Sequence, residues 1–309
     1  MGILMKRFRR AAVVASAAVC PALVAGCGDL EPAPGEFDAI DRDGAISLPG
    51  DTSATDSAGG DTAAVGSATG TWAMATDWST CVYIGELRFE LRTYKLLRVE
   101  VEQVGTLWRE KRTVCSVINT PLLGQTTVFS QAVINSYASQ QLLSSATGNA
   151  TGSAYYGALD LQLFGAKLSQ PATEAMPTST ADPRVVDSDG DGHPGGTLKV
   201  GAICELYAAN RAISQVSGQF VSPTRIEGGA LHDTTQVAFA SSSGFCAQSF
   251  VTVPNQPHNA FVLARVDSAG LGLDSDGDGQ VSCGEIAAGQ AKIASWRAAD
   301  NERCPPILP

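Results

Sequence analysis

Apolar and polar side chains alternate along much of the chain after residue 70, a period of two that predicts β-strands with one buried and one solvated face. In residues 87–92, Leu and Phe alternate with Arg and Glu, and residues 98–102 place Val between Arg and Glu. Gly105 is positioned to turn the chain between two of these strands. The further predicted strands are 99–104, 106–117, 125–137, 158–164, 198–207, 213–221, 236–240, 245–253 and 261–266. Many short strands separated by Gly, Pro, Asn and Ser predict a mainly β fold, an antiparallel β-sandwich or barrel.

Near the C-terminus the pattern changes to a helical period. Apolar or small residues recur there at spacings of three, four and three, namely Ile286, Gly289, Ile293 and Trp296. Such a stripe is typical of one helix packed on a core. Ser282 and Glu285 have the spacing of a capping box before this stripe, and Pro305 and Pro306 follow it. We therefore predict a single C-terminal helix.

The N-terminus has a composition unlike the rest of the chain. Four basic residues between positions 6 and 10 precede an apolar run over residues 11–25, which ends at Val24-Ala25-Gly26-Cys27. A membrane-spanning helix needs about 20 apolar residues, and this run is shorter. A basic stretch, a short apolar stretch and small residues before a cleavage site predict a secretory signal peptide over residues 1–26.

The Val-Ala-Gly-Cys sequence resembles the lipobox of bacterial lipoproteins. The resemblance implies that Cys27 receives a diacylglycerol through its sulfur and, after cleavage, a fatty acid such as palmitate on its amino group. It also implies anchoring to a membrane of the cell envelope, with an outer-membrane, periplasmic or surface-facing location. Two or three lipid chains anchor a protein stably, since burial of each CH₂ contributes about 0.8 kcal/mol. An ordinary signal peptide with an incidental cysteine is the alternative.

Residues 27–70 are rich in Gly, Ala, Ser, Thr, Asp and Pro and have no periodic apolar pattern. Such a composition cannot bury enough surface to fold, so we predict a flexible tether. Nine of the 31 acidic residues lie between Asp29 and Asp61, with Arg42 as the one basic residue among them. Loss of residues 1–26 removes four of the 21 basic residues and no acidic residue, so the mature chain is strongly acidic. This balance argues against nucleic acid as a partner, which requires clustered Lys and Arg.

Six cysteines follow Cys27, and an even number in an exported chain indicates disulfide bonds. We expect neighbours along the chain to pair. The expected bonds are Cys81–Cys115, Cys204–Cys246 and Cys283–Cys304. The cysteines have no C-x-x-C spacing, so they do not form a zinc-binding pattern.

The sequence Asp-Ser-Asp-Gly-Asp-Gly occurs twice, at residues 187–192 (the first loop) and 274–279 (the second loop). The second loop begins a twelve-residue stretch that resembles a complete EF-hand calcium loop without its entering helix. The resemblance implies calcium ligands at loop positions 1, 3, 5, 7, 9 and 12. These positions are Asp274, Asp276, Asp278, Gln280, Ser282 and Glu285. The alternative is an acidic surface turn in which Glu285 only caps the helix.

The first loop resembles the D-x-D-x-D-G calcium loops of secreted repeat proteins. Its candidate Ca²⁺ ligands are Asp187, Asp189, Asp191 and, at position 7, His193. Position 12 is Leu198, so no acidic side chain closes this site. The stretch also resembles a DGDGxPG sequence in lipoproteins of high-GC Gram-negative bacteria such as myxobacteria, which implies no activity. A plain Asp/Gly turn is the alternative.

The body of the chain could form one large β unit or two related halves, since the two loops each follow a widely spaced cysteine pair. We divide it into a first β region at 71–180, a second β region with the first loop at 181–266, and the second loop with the C-terminal helix at 267–309. The spacings within the two halves differ, so both interpretations stay open.

The function classes suggested by these patterns are few. The chain has no G-x-S-x-G, H-E-x-x-H or P-loop motif, and its three histidines are far apart in sequence, so we expect no enzymatic activity. The main hypothesis is a lipid-anchored, calcium-binding protein with a structural or interaction role and an envelope or surface protein as its partner. Gly70-Thr71-Trp72 resembles the Gly-x-Trp opening of lipocalins, which implies a barrel that binds a small apolar ligand as the alternative. A hydrolase with dispersed catalytic residues is a third hypothesis.

Overall fold

Antiparallel strands make up most of the body, as the alternating pattern predicts. The computed structural model describes residues 67–84, 86–244, 246 and 251–306. Twelve strands are described there: β1 Gly70–Ile84, β2 Leu87–Val104, β3 Leu107–Asn119, β4 Thr127–Phe129, β5 Gln140–Ala146, β6 Ala154–Tyr156, β7 Asp160–Phe164, β8 Gly196–Val200, β9 Cys204–Ser222, β10 Arg225–Ser241, β11 Val251–Pro254 and β12 Ala260–Arg265. Three short α-helices accompany them, α1 Gln131–Ser136, α2 Cys283–Ala288 and α3 Gln290–Ile293, with 3-10 turns at Gln256–His258 and Asn301–Arg303.

The predicted signal peptide, the lipid site at Cys27 and tether residues 27–66 lie outside the described residues. The last part of the predicted tether belongs to the folded body. Ala68 is buried, and its backbone N–H donates to the Gln103 side chain at 2.7 Å. The body therefore begins a few residues before the sequence pattern indicates.

Eight of the strands pair in a closed ring, in the order β1, β2, β3, β5, β6, β9, β10, β12 and back to β1. Every pairing in the ring is antiparallel. The other four strands are attached to it: β4 and β8 link β3 to β9, β7 pairs with β9, and β11 pairs with β1. The prediction of a mainly β, antiparallel fold is confirmed. Because β6 and β7 pair with β9, and β1 with β12, strands of both predicted β regions share one sheet.

Large side chains fill the interior of the ring. The buried ring of Trp108 contacts the buried rings of Trp72, Tyr155 and Phe220, with ring centroids 5.4 to 5.9 Å apart. Eight-stranded barrels have an interior that is just wide enough for side chains to fill or for one small ligand. This part of the interior is a packed aromatic core.

The outer face of β1 is buried as well, because residues 267–306 (the C-terminal segment) lie across it. Ala73 and Ala75 of β1 pack against Val281, Ile286 and Ile293 of that segment. Strand β1 therefore has almost no exposed position. With both faces buried, it lacks the alternation that marks the other strands, and for this reason the sequence pattern does not predict it.

The strand predictions at 213–221 and 236–240 cover only parts of the long strands β9 and β10, and the predictions were wrong in three further places. Residues 125–137 contain the short strand β4 followed by helix α1, because the Ser130 hydroxyl accepts from the Val133 backbone N–H at 3.1 Å and caps a helix. The predicted strand at 198–207 is split between β8 and β9 by a turn in which Gly201 has a φ of 55°. Strands β5 and β6, whose sequences are polar or short, were not predicted.

The predicted turn at Gly105 and the capping box are confirmed. Gly105 has a φ of 63° between β2 and β3, and Ser282 and Glu285 exchange both capping-box hydrogen bonds at the start of α2. The prediction of one continuous helix through Trp296 was wrong. The helix breaks at Gly289, where the Leu273 side chain packs so closely that an added Cβ would lie 2.6 Å from it. Trp296 follows α3 and stacks on Tyr94 at 4.6 Å between ring centroids.

Three disulfide bonds are formed, but two of the three expected pairings were wrong. Cys204–Cys246 is confirmed. The other bonds are Cys81–Cys304 and Cys115–Cys283. The C-terminal segment returns across the outside of the barrel, and it brings its cysteines beside β1 and β3 instead of beside each other.

The prediction that the charged side chains at the start of β2 face solvent was also wrong. Glu90 and Arg92 are 2% and 0% exposed, whereas Leu87 is 60% exposed. The C-terminal segment covers this face: the Asp300 backbone N–H donates to Glu90 at 2.6 Å, and Arg303 lies 3.2 Å from Glu90. The charged side chains thus form ion pairs beneath the segment.

Candidate metal centres

The second loop lies between β12 and α2, near the start of the C-terminal segment. Leu273 just before the loop and Val281 just after it are buried on the outside of the barrel. Cys283, at the first turn of α2, bonds to Cys115 of β3. The loop is therefore held at both ends by the body, while its acidic residues face outward.

The turn of the second loop is organised around its first carboxylate. The two oxygens of Asp274 accept from the backbone N–H groups of Gly277 at 2.8 Å and Gly279 at 3.0 Å. Both glycines have a φ near 80°, the left-handed region that favours glycine. Asp276 and Asp278 each accept from a backbone N–H two residues further along. Asp274, Asp276 and Asp278 each present a carboxylate oxygen, and these three oxygens lie within 4.8 Å of one another.

Glu285, at position 12 of this stretch, is held between the loop and the helix. One oxygen accepts from the Ser275 hydroxyl at 2.9 Å, and the other accepts from the Ser282 backbone N–H at 2.8 Å. Hydrogen bonds from the Ser282 and Ser275 backbones lower the pKa of Glu285 to about 2. Glu285 is thus an ionised carboxylate bound to Ser275 and Ser282, and it does not belong to the converging group of Asp274, Asp276 and Asp278. The Gln280 backbone N–H donates to Asp278 at 2.7 Å.

The first loop repeats this geometry at the entrance to β8. The oxygens of Asp187 accept from the backbone N–H groups of Gly190 at 2.7 Å and Gly192 at 2.9 Å, the same two positions as in the second loop. Partial burial raises the pKa of Asp187, but these backbone hydrogen bonds outweigh it and the net pKa is lowered. Asp187, Asp189 and Asp191 bring three oxygens within 4.8 Å of one another.

The first loop is held by hydrogen bonds from strand β8 and not by a helix. The Thr197 backbone N–H donates to one oxygen of Asp189 at 3.0 Å, and its hydroxyl donates to Asp191 at 2.5 Å. The other oxygen of Asp189 is buried and has no hydrogen-bond partner among the described residues. A buried carboxylate oxygen without a donor is unfavourable, so a cation at this point would fit the residues present.

The predicted ligand His193 does not belong to the converging group of the first loop. Its imidazole stacks on Tyr207 of β9 with ring centroids 4.0 Å apart. Its backbone N–H donates to Asp191 at 2.9 Å. The ring of His193 is thus engaged with an aromatic side chain, and the group of converging oxygens comes from the aspartates.

Both groups of aspartates could hold a metal ion. Their donors are all carboxylate oxygens, which are hard ligands and suit Ca²⁺ or Mg²⁺. The sequence motif predicted both groups, because three acids at alternate positions around two glycines build a turn that directs them to one point.

Two clusters of buried charged side chains were not predicted from the sequence. On the outside of the barrel, Arg92 lies 2.6 Å from Glu90 and also pairs with Asp77 beneath the C-terminal segment. Inside the barrel, Arg112 lies 2.6 Å from Glu110. Glu90 lies between the apolar residues Phe89 and Leu91, as an exposed strand residue would, and Glu110 and Arg112 lie in a run of charged residues, so no local signal shows that they are buried.

Searches against protein-family models, curated proteins and solved structures find no significant match. Among the described residues, no helix is long and apolar enough to cross a membrane.

Proposed function

We propose that this protein is an exported, lipid-anchored, calcium-binding protein of the cell envelope, in which calcium has a structural role. The observation that carries this proposal is the convergence of three aspartate oxygens at each of two loops. Both loops use the same turn, in which the first aspartate accepts from two glycine N–H groups.

Electrostatic repulsion favours a cation at each loop. Two unit charges 4 Å apart repel by about 1 kcal/mol in water and by about 4 kcal/mol near a protein surface. Three carboxylates within 4.8 Å therefore destabilise the loop unless a cation is present. Calcium suits these loops better than magnesium, because it accepts six to eight oxygen ligands in flexible geometry.

Calcium at the second loop would stabilise the packing of the C-terminal segment. The loop lies between β12 and α2, and α2 is joined to β3 by Cys115–Cys283. Ile286 of α2 is fully buried against the outside of the barrel. An ion that orders the loop would thus orient α2 on the barrel, and the ordered outer surface would be available to an envelope or surface partner.

Export and anchoring rest on the N-terminal sequence. The signal peptide and lipobox predict cleavage before Cys27, and three disulfide bonds in the body are consistent with an oxidising compartment. Mass spectrometry of the protein from bacterial membranes should find Cys27 as the N-terminus with diacylglycerol and fatty acid attached. The Cys27→Ala variant should lack this mass and leave the membrane fraction; an unmodified Cys27 in the native protein would contradict the proposal.

The calcium proposal is tested by thermal unfolding of the purified chain in calcium and in chelator. Ligand present at 100 times its Kd stabilises the folded state by about 2.7 kcal/mol per site, so calcium should raise the melting temperature. The Asp276→Asn/Asp278→Asn variant should lose part of this increase. Asp233→Asn, a change at an exposed aspartate on β10, should keep all of it. Equal melting temperatures in calcium and chelator would refute a structural role for calcium.

The alternative of a lipocalin-like carrier is favoured by the closed ring of strands but not by its interior. Trp72, Trp108, Tyr155 and Phe220 occupy the space where a lipocalin-like barrel would hold an apolar ligand. Native mass spectrometry that finds a bound lipid in the purified protein would revive this alternative.

A further inference from the structure

One end of the barrel interior is polar, in contrast to the aromatic core. Thr76 and Lys95 are cross-strand partners on β1 and β2, and Trp78 is the next residue of β1 that faces inward. His232 of β10 stacks on Trp78 with ring centroids 4.6 Å apart. All four side chains are at most 7% exposed. We call these four residues the inner polar cluster.

Unpaired polar atoms are concentrated in this cluster. Eight buried side-chain nitrogen or oxygen atoms of the described residues lack a hydrogen-bond partner, and three of them are Thr76 Oγ1, Trp78 Nε1 and His232 Nδ1. Each such atom costs about 1–3 kcal/mol, and folded proteins contain few of them. Thr76 and Trp78 are successive inward-facing residues of β1 and His232 stacks on Trp78, so these three atoms lie in the same part of the interior.

Lys95 adds a buried amine to the same cluster; burial lowers its pKa, and the carboxylate of Asp160 opposes this effect. Three cationic side chains are buried in the described part of the chain, and Arg92 and Arg112 each lie 2.6 Å from a carboxylate oxygen. Lys95 has no carboxylate within the 4.0 Å of an ion pair among those residues, and its ammonium donates to the neutral Gln162 amide at 2.8 Å. A buried charge is unfavourable unless it is paired.

The polar side chains of the inner polar cluster favour a ligand that accepts hydrogen bonds. The ammonium of Lys95 and the indole N–H of Trp78 can only donate, and the hydroxyl of Thr76 can donate. Burial and the nearby charge of Lys95 lower the pKa of His232 to about 3, so the imidazole is neutral and contributes no second charge. Trp78 belongs to the packed interior, and the interior of an eight-stranded barrel holds at most one small ligand.

We propose that the inner polar cluster binds a small monovalent anion, which pairs with Lys95 and accepts hydrogen bonds from Trp78 and Thr76. A short carboxylate and a halide share this chemistry. The site is separate from both acidic loops, so it does not depend on the calcium proposal.

The test follows the indole N–H signals of the purified full-length chain by ¹⁵N NMR. The chain has four tryptophans, and the Trp78→Phe variant assigns the Trp78 signal by its disappearance. Sodium formate, acetate or chloride is titrated at constant ionic strength against sodium sulfate. We expect a saturable shift of the Trp78 signal with at least one of the three anions. Saturation by formate or acetate alone identifies a carboxylate ligand, and saturation by chloride alone identifies a halide.

Variants of two lysines test whether the charge of Lys95 contributes to anion binding. Lys95→Met, which keeps the length of the side chain, should weaken binding by about tenfold or more, or about 1.4 kcal/mol. Lys167→Met removes an exposed lysine and should leave the titration unchanged. The absence of a saturable Trp78 shift in the folded wild-type protein would overturn the proposal even if Lys95→Met fails to fold. A shift of equal affinity in Lys95→Met would also overturn it.

Discussion

At the scale of single residues, Glu285 links the second loop to α2 through its charge. Hydrogen bonds from Ser282 and Ser275 lower its pKa from 4.5 to about 2. Because the folded-state pKa lies below the ordinary value, ionised Glu285 stabilises the folded state above about pH 4.5. This contribution is lost as the pH falls toward 2.

Replacement of Glu285 by Gln should therefore have a pH-dependent effect. In chelator, Glu285→Gln should melt at a lower temperature than the wild type at pH 7, and the difference should shrink as the pH falls from 4.5 to 2. Thermal unfolding across this range measures it. Glu86→Gln, at an exposed glutamate, should show no such trend. A difference for Glu285→Gln that does not change with pH would show that the carboxylate charge is not involved.

Arg92 is a second residue whose replacement should have a predictable effect on the free energy of unfolding. Its guanidinium is fully buried and pairs with Glu90 and Asp77, so its removal leaves two buried carboxylates partly uncompensated. Arg92→Met should lower the free energy of unfolding by about 3–5 kcal/mol in a denaturant titration. The matched change Arg109→Met removes an exposed ion pair and should cost less than about 1 kcal/mol. Equal effects of the two changes would contradict the importance of burial.

At the scale of elements, the second loop and the Cys115–Cys283 bond act on the same short helix. Removing the bond should loosen α2 and so raise the entropic cost of ordering the loop around calcium. The Cys115→Ala/Cys283→Ala variant should bind calcium at this loop roughly tenfold more weakly, or about 1.4 kcal/mol. Cys204→Ala/Cys246→Ala, which removes a bond remote in sequence from the second loop, should leave that affinity unchanged. Calcium titration calorimetry compares the two, and equal affinities would refute the coupling.

Sequence periodicity predicted strands in which apolar residues alternate with charged ones, and it could not predict a strand that has no solvated face. The second half of β2 shows the alternation clearly, and Val99 and Val101 are buried as predicted. Strand β1 is covered on both sides, so it lacks a polar face that would reveal its period. The C-terminal helix was predicted from the stripe of Ile286 and Ile293, but it breaks at Gly289, where Leu273 from the loop that precedes the helix packs against the glycine.

At the scale of the whole molecule, the fold class could be predicted and the closure of the sheet could not. Composition and alternation indicate an antiparallel β protein, whereas closure depends on pairings such as β1 with β12 and β6 with β9, which join distant parts of the chain. The pairing of the cysteines likewise depends on contacts between distant parts of the chain. Cys81 and Cys304 meet only because the C-terminal segment crosses the outside of the barrel. The converging aspartates of the two acidic loops were predictable because they are close together in sequence.

The central claim, that both acidic loops bind calcium, is tested most directly by isothermal titration calorimetry of the chelator-stripped chain with calcium chloride. We predict heat of binding at two sites, with Asp274→Asn abolishing one site and Asp187→Asn the other. If the folded wild-type chain gives no heat of calcium binding across several temperatures, and equilibrium dialysis finds no bound calcium, the claim is contradicted.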